Sequence, residues 1–130
     1  MNREIKFRGY AVEELIGEQW LNDGYGVEKI NFINGTNAVY LSTPFGEYKV
    51  FEESVGQYTG LKDKNRVEIY EGDIIKYERK GISELLVVEW CKDYASFMFG
   101  HIKVEFALRY GEVIGNIYEN PELLEVEQWR

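Results

Sequence analysis

The chain has 130 residues, a net charge of −8 and aromatic side chains at 15% of its positions. This length suits one ordinary domain, and so many large apolar side chains exclude a disordered chain. One cysteine excludes an intrachain disulfide and favours a reducing cytoplasm. No apolar signal-peptide core begins the chain, and no stretch approaches the ~20 apolar residues of a membrane span, so we expect a soluble protein away from membranes.

The first half of the chain alternates apolar and polar residues, as half-buried strands do. Residues 5–8 form the first such run. Residues 31–33 and 38–41 flank Asn34-Gly35, which tolerates the positive φ of a type I′ turn and predicts a hairpin. Thr43-Pro44-Phe45-Gly46 then predicts a turn. Residues 12–19 fit either a short helix or a loop.

The second half continues the strand pattern. Residues 85–90 are apolar on both faces, which predicts a central strand, and Gly115 inside the last strand predicts a bulge or a close backbone approach. Helix is expected to be scarce, with one or two turns at most after Asn120-Pro121. The strands predicted here are residues 57–61, 67–70, 74–77, 85–90, 97–99, 102–106 and 112–118.

About ten short strands with little helix predict a mostly-β fold, as a small barrel or a sandwich. The least apolar joint is residues 52–54. We therefore expect an N-terminal β-strand subdomain over residues 1–53 and a barrel subdomain over residues 54–130. One integrated domain is the alternative.

Residues that could carry chemistry are few. Cys91 is best interpreted as a small buried hydrophobe, and pairing with His101, the only histidine, would need a contact that no local motif indicates. Asp63, Glu71 and Asp73 are the nearest candidates for a magnesium or calcium site, but solvated turn acids are the favoured interpretation. Phosphate-binding glycine motifs are absent. We expect a protein without catalytic residues, cofactor or metal.

Tyrosines and basic residues are interspersed between positions 58 and 79, in a stretch rich in chain reversals. Small β-barrels can stack bases on exposed aromatics, but the net charge repels a phosphate backbone, so packing in the core and rim is favoured. If these side chains are exposed together, they are the candidate partner-binding face. That face comprises Tyr58, Lys62, Lys64, Tyr70, Lys76, Tyr77 and Arg79, with Arg66 added if the ligand is a nucleic acid.

Three segments, residues 3–9, 55–74 and 113–124, together resemble the YopX protein family, which phages and prophages encode. They span the chain from end to end. Position 66 departs from the family pattern, where glycine commonly follows the asparagine, so Arg66 argues against a tight positive-φ turn there. Ser54 stands where the family often has threonine and keeps a similar capping hydroxyl.

The resemblance implies a mostly-β fold with an SH3-like barrel, and a phage-derived protein in the cytoplasm of the host bacterium. It implies no activity, so no catalytic residue is carried over. Residues 72–75 resemble the turn that begins a barrel strand, and residues 120–122 resemble a cap on the closing turn.

We therefore expect a non-catalytic interaction module that binds a host or phage protein and that self-associates through open sheet edges. A nucleic-acid-binding accessory module is the alternative, and an enzyme using a carboxylate pair or a metal ranks last.

Overall fold

The computed structural model describes residues 4–124, of which 55% are strand and 11% helix. The chain divides into two compact units, Met1–Tyr58 and Thr59–Arg130. Across the described residues the strands form three antiparallel sheets and no closed barrel. The mostly-β prediction is confirmed, whereas the SH3-like small barrel is not. The predicted subdomain boundary after residue 53 stays a prediction.

The first unit is built from short antiparallel strands around a small core. Its strands are β1 (Phe7–Tyr10), β2 (Trp20–Gly24), β3 (Gly26–Asn31), β4 (Asn37–Thr43), β5 (Gly46–Val50) and the start of β6 (Gly56–Lys62). One sheet has the order β3-β4-β5, while β1 pairs with both β2 and the first residues of β6. Val39, Leu41 and Val50 form the buried core. Residues 12–19 form a loop rather than a helix.

The hairpin predicted around Asn34-Gly35 is present, but its turn differs. Strand pairing ends at Asn31 and Asn37, which leaves five residues in the loop. Gly35 has a φ of 89°, whereas Asn34 is not among the described residues with positive φ. The Asn34 Oδ1 atom instead accepts a hydrogen bond from the Thr36 backbone N–H at 3.0 Å. The side chain therefore shapes a wider loop than the predicted type I′ turn.

The second unit contains the rest of β6 and a five-stranded sheet. Its other elements are β7 (Glu68–Tyr70), β8 (Asp73–Arg79), β9 (Ile82–Cys91), β10 (Ser96–Phe99), β11 (Ile102–Lys103), a 3₁₀ turn (Val104–Phe106), α1 (Ala107–Tyr110) and β12 (Gly111–Asn116). The sheet order is β11-β10-β9-β8-β12. The predicted central strand is confirmed, because β9 lies between β8 and β10. The core of the second unit includes Ile69, Ile75, Val88 and Phe99.

Two predictions about the end of the second unit have different outcomes. The ladder between β12 and β8 shifts register between Val113 and Gly115, which confirms the predicted bulge. The strand predicted over residues 102–106 is wrong after Lys103, because a 3₁₀ turn and α1 follow it. Alternation alone cannot separate a short strand from a tight helical turn with the same apolar spacing.

The loop between β6 and β7 is organised by the buried side chain of Asp63. Its Oδ1 accepts hydrogen bonds from the backbone N–H groups of Asn65 and Val67, at 2.8 and 2.9 Å. Arg66 adopts a φ of 69° within this loop. The expectation that Arg66 would prevent a positive-φ turn is therefore wrong, because the Asp63 carboxylate holds the loop in shape without glycine.

Candidate functional site

The three tyrosines of the predicted partner-binding face are buried. Tyr58, Tyr70 and Tyr77 expose only 5%, 3% and 8% of their surfaces. The condition for a shared tyrosine face is therefore not met, and these rings pack in the interior, which is the interpretation that the sequence favoured. The centre of the Tyr77 ring, for example, lies 5.4 Å from that of Phe99 in the core of the second unit.

The basic residues of that stretch do not form one face either. Lys62, Lys64 and Arg79 are exposed, whereas Lys76 is half-buried. Lys76 and Arg79 lie three positions apart on β8, and neighbouring positions on a strand face opposite sides of the sheet, so these two side chains point to opposite sides. Whether any of these cations binds a partner stays a prediction. Arg79 does, however, line the groove described next.

The first wall of the groove is the end of the β8–β9 hairpin. Tyr77 lies opposite Glu84, and Arg79 lies opposite Ile82, so these four side chains share one face. Lys80 and Gly81 join the strands with φ angles of 54° and 80°, the positive signs that a type I′ turn requires. The shared face is that of core residues such as Ile75. The hairpin therefore extends the core-facing side of the sheet beyond the core.

The second wall comes from the segment that follows β10. His101, Ile102 and Lys103 form the β10–β11 turn and strand β11, and Phe106 ends the 3₁₀ turn. Together with Tyr77, Arg79, Lys80, Ile82 and Glu84 they line a cavity of about 570 Å³. This volume is in the range of ligand-binding clefts. We call this cavity the basic groove.

Aromatic rings connect the guanidinium of Arg79 to the protein core. The Arg79 guanidinium carbon lies 4.9 Å from the centre of the Tyr110 ring. Tyr110 meets Tyr77 edge to face at 5.9 Å, and Tyr77 in turn packs against Phe99. A ring face attracts a cation electrostatically, and such a contact restricts the conformations of a long side chain. The cation is therefore held in place by the packed interior.

The charges along the groove are mostly positive, although the protein is acidic. Arg79, Lys80 and Lys103 face a single lining carboxylate, that of Glu84, and within residues 4–124 these three cations have no salt bridge. Ile82 and Phe106 expose 65% and 45% of their surfaces at the same place. Unneutralised cations beside exposed apolar groups suit a ligand that carries both negative charge and apolar surface.

Sequence reasoning placed only two of the lining residues, Tyr77 and Arg79, in its candidate face. It missed His101 and Lys103 because more than twenty residues of chain separate them from Arg79. In the sheet β10 and β9 lie between β11 and β8, so only the tertiary arrangement brings these residues to one cavity. The available signal was the loop Arg79-Lys80-Gly81 followed by an apolar residue, since a basic turn beside exposed Ile82 is unusual for a solvated loop.

Two of the acidic residues considered as metal ligands, Asp63 and Asp73, take part in backbone hydrogen bonding. Asp63 and Asp73 use carboxylate oxygens to accept backbone hydrogen bonds, Asp73 from the Tyr70 N–H at 2.7 Å. In the part of the chain that the structure describes, no three His, Cys, Asp or Glu side chains cluster as metal ligands would. Cys91 and His101 line one smaller cavity of about 380 Å³ together with Met98.

Comparisons with known proteins identify relatives of this chain. The family model described as YopX protein matches residues 6–125. The crystal structure of protein EF1440 from Enterococcus faecalis is similar, with 26% sequence identity and a TM-score of 0.55. The match covers 95% of this chain and 99% of that one. No curated protein matches. Among residues 4–124 no helix has the length and apolarity to cross a membrane.

Proposed function

We propose, from the premise that this chain belongs to the YopX family, that it is a non-catalytic protein-interaction module. We assign it a phage or prophage origin and a place of action in the cytoplasm of the host bacterium. The partner is a host or phage protein that is bound without covalent chemistry.

The basic groove is the observation that supports this proposal. It combines positively charged groups with exposed apolar side chains, and the two together provide both orientation and desolvation energy for a bound segment. Apolar groups at an interface contribute through their burial, at about 25 cal/mol per Å². The exposed parts of Ile82 and Phe106 therefore contribute little to the stability of the free protein, and their burial would favour binding of a partner.

The test is capture from a lysate of the host bacterium with charge-inverted variants as comparison. We expect the protein to retain a partner that is lost when Arg79 and Lys103 are both changed to Glu. The matched control changes Lys92 and Arg109 to Glu, which inverts one exposed lysine and one exposed arginine outside the groove. Equal capture by both variants, or no specific capture by the unaltered protein, contradicts the proposal.

A nucleic-acid-binding accessory module is the second candidate, and the local charge of the groove favours it. Three lining cations and the exposed ring of Phe106 are suited to a phosphate and a stacked base. The net charge of −8 opposes any longer contact with a polyanion. Titration with single-stranded DNA at low ionic strength tests this candidate, and no binding there ends it.

Self-association is a further part of the proposal, through the β3 edge of the first unit. Among residues 4–124, β3 pairs only with β4, and it exposes Val27 and Ile30. Open strand edges can add a strand from another molecule, although Glu28 and Lys29 on this edge oppose that. Light scattering over a range of protein concentrations measures the oligomeric state, and a monomer at every concentration contradicts self-association.

A further inference from the structure

The geometry points to a specific ligand class for the basic groove: a short acidic segment of a partner polypeptide that carries one apolar side chain among its carboxylates. This inference rests on the proposed function and adds the chemistry of the partner. The groove has both elements of such recognition, a set of oriented cations and an exposed apolar surface, within one cavity of the second unit.

The cations define the acidic part of the ligand. Arg79 reaches the groove from the end of β8, Lys80 from the type I′ turn and Lys103 from β11. They belong to both walls, so a segment lying in the groove meets positive charge on each side. Arg79 is the strongest of the three as a carboxylate ligand, because its planar guanidinium offers two parallel donors and Tyr110 limits its motion.

The apolar side chains define the second part of the ligand. Ile82 and Phe106 are both exposed, and Tyr77 and Ile102 lie deeper in the same lining. An apolar side chain inserted there would cover exposed carbon atoms and remove water from the nearby cations. Charged hydrogen bonds are stronger where water is excluded. Acidic and apolar groups of one segment would therefore reinforce one another.

Two observations favour a polypeptide over a nucleic acid in this groove. Glu84 lies within the lining, where it repels any anion but can accept a hydrogen bond from a peptide N–H, a donor that a phosphodiester backbone lacks. The protein also has 23 acidic residues against 15 basic ones, so a long phosphate backbone meets repulsion wherever it leaves the groove. A short acidic peptide, by contrast, carries its negative charges only within the groove, next to the three cations.

The experiment measures binding of labelled probes to the full chain by fluorescence polarisation. The first probe is a short peptide of glutamates with one central phenylalanine. The second replaces each glutamate with glutamine, the third replaces the phenylalanine with serine, and the fourth is oligothymidylate DNA of similar length. We expect the first probe to bind most tightly, and each peptide replacement to weaken binding about tenfold.

Two matched pairs of variants locate the binding in the groove. Arg79→Glu weakens binding of the first probe about tenfold or more, whereas Arg109→Glu, with the same charge change at an exposed site outside the lining, has little effect. Phe106→Ser also weakens binding, whereas Leu108→Ser, at an exposed position outside the lining, does not. Circular dichroism spectra confirm that each variant is folded.

Each other outcome overturns this inference in a distinct way. Equal binding of the glutamine or serine peptide removes the stated ligand chemistry, and stronger binding of the DNA replaces it with a nucleic acid. No binding of any probe removes the acidic segment as ligand. The proposed interaction function survives these outcomes if capture of a host protein still depends on Arg79 and Lys103, and it fails with them if capture does not.

Discussion

The backbone N–H of Val113 donates a hydrogen bond to the Asp63 Oδ2 atom at 2.8 Å, across 50 residues of sequence. This contact ties the β6–β7 loop to the side of β12, next to a backbone hydrogen bond from Lys64 to Gly111. The Asp63 side chain is fully buried and accepts two further backbone hydrogen bonds within its own loop. The Asp63 carboxylate therefore accepts hydrogen bonds both from its own loop and from β12, which are far apart in the sequence.

Asp63→Ala is expected to destabilise the second unit by about 3 kcal/mol, because it removes the side-chain acceptor of three partly buried backbone N–H groups. Urea denaturation followed by tryptophan fluorescence measures the change. The control is Asp93→Ala, which removes an exposed carboxylate and should change stability by less than about 0.5 kcal/mol. Similar losses for both variants would contradict a structural role for Asp63.

Arg66→Gly is expected to stabilise the protein by about 0.5–1 kcal/mol. The φ of 69° at Arg66 lies in the left-handed region, which costs a side-chain-bearing residue about 1–2 kcal/mol, and only part of the gain is offset by the flexibility of glycine in the unfolded chain. Thermal denaturation measures the shift. Arg66→Ala keeps the strain and removes the same side chain, so a gain in that control would show that strain is not the cause.

Gly24→Ala is expected to destabilise the first unit by about 1–3 kcal/mol, since an added Cβ would lie 2.3 Å from Leu41 Cδ1 in a packed core. Gly26, two residues later, provides the control, because an added Cβ there meets no atom within 4 Å. Urea midpoints of the two alanine variants test the difference. Equal midpoints would mean that Leu41 moves aside without cost.

Tyr110→Leu is expected to weaken binding of the acidic peptide about two- to fivefold, because it removes a cation–π contact of about 0.5–1 kcal/mol that orients Arg79. Tyr110→Phe retains the ring and should bind as the unaltered protein does. Polarisation titrations with the glutamate–phenylalanine peptide provide the measurement. If Leu and Phe have the same effect, the ring does not orient Arg79.

The connections after β3 and after β8 show that the residue types of a turn do not by themselves determine its conformation. Asn34-Gly35 has the residue types that a type I′ turn prefers, yet the Asn34 side chain accepts two hydrogen bonds from Thr36 in a wider loop. Lys80-Gly81 lacks that preference but has the positive φ angles, because register pairs Arg79 with Ile82 across the hairpin. Turn chemistry is a preference of under a few kcal/mol, and strand pairing on both sides can outweigh it.

The amino-acid sequence by itself determined the mostly-β class, the central position of β9, the bulge at Gly115 and the family, because alternation of apolar side chains and long motifs are local properties of a chain. Tertiary structure alone decided which tyrosines are buried, which cations share a surface and that Lys103 faces the groove with Arg79. An alternating apolar pattern indicates only that a set of side chains lies on the same side of a strand. Only the packing of the strands decides whether that side meets solvent or core.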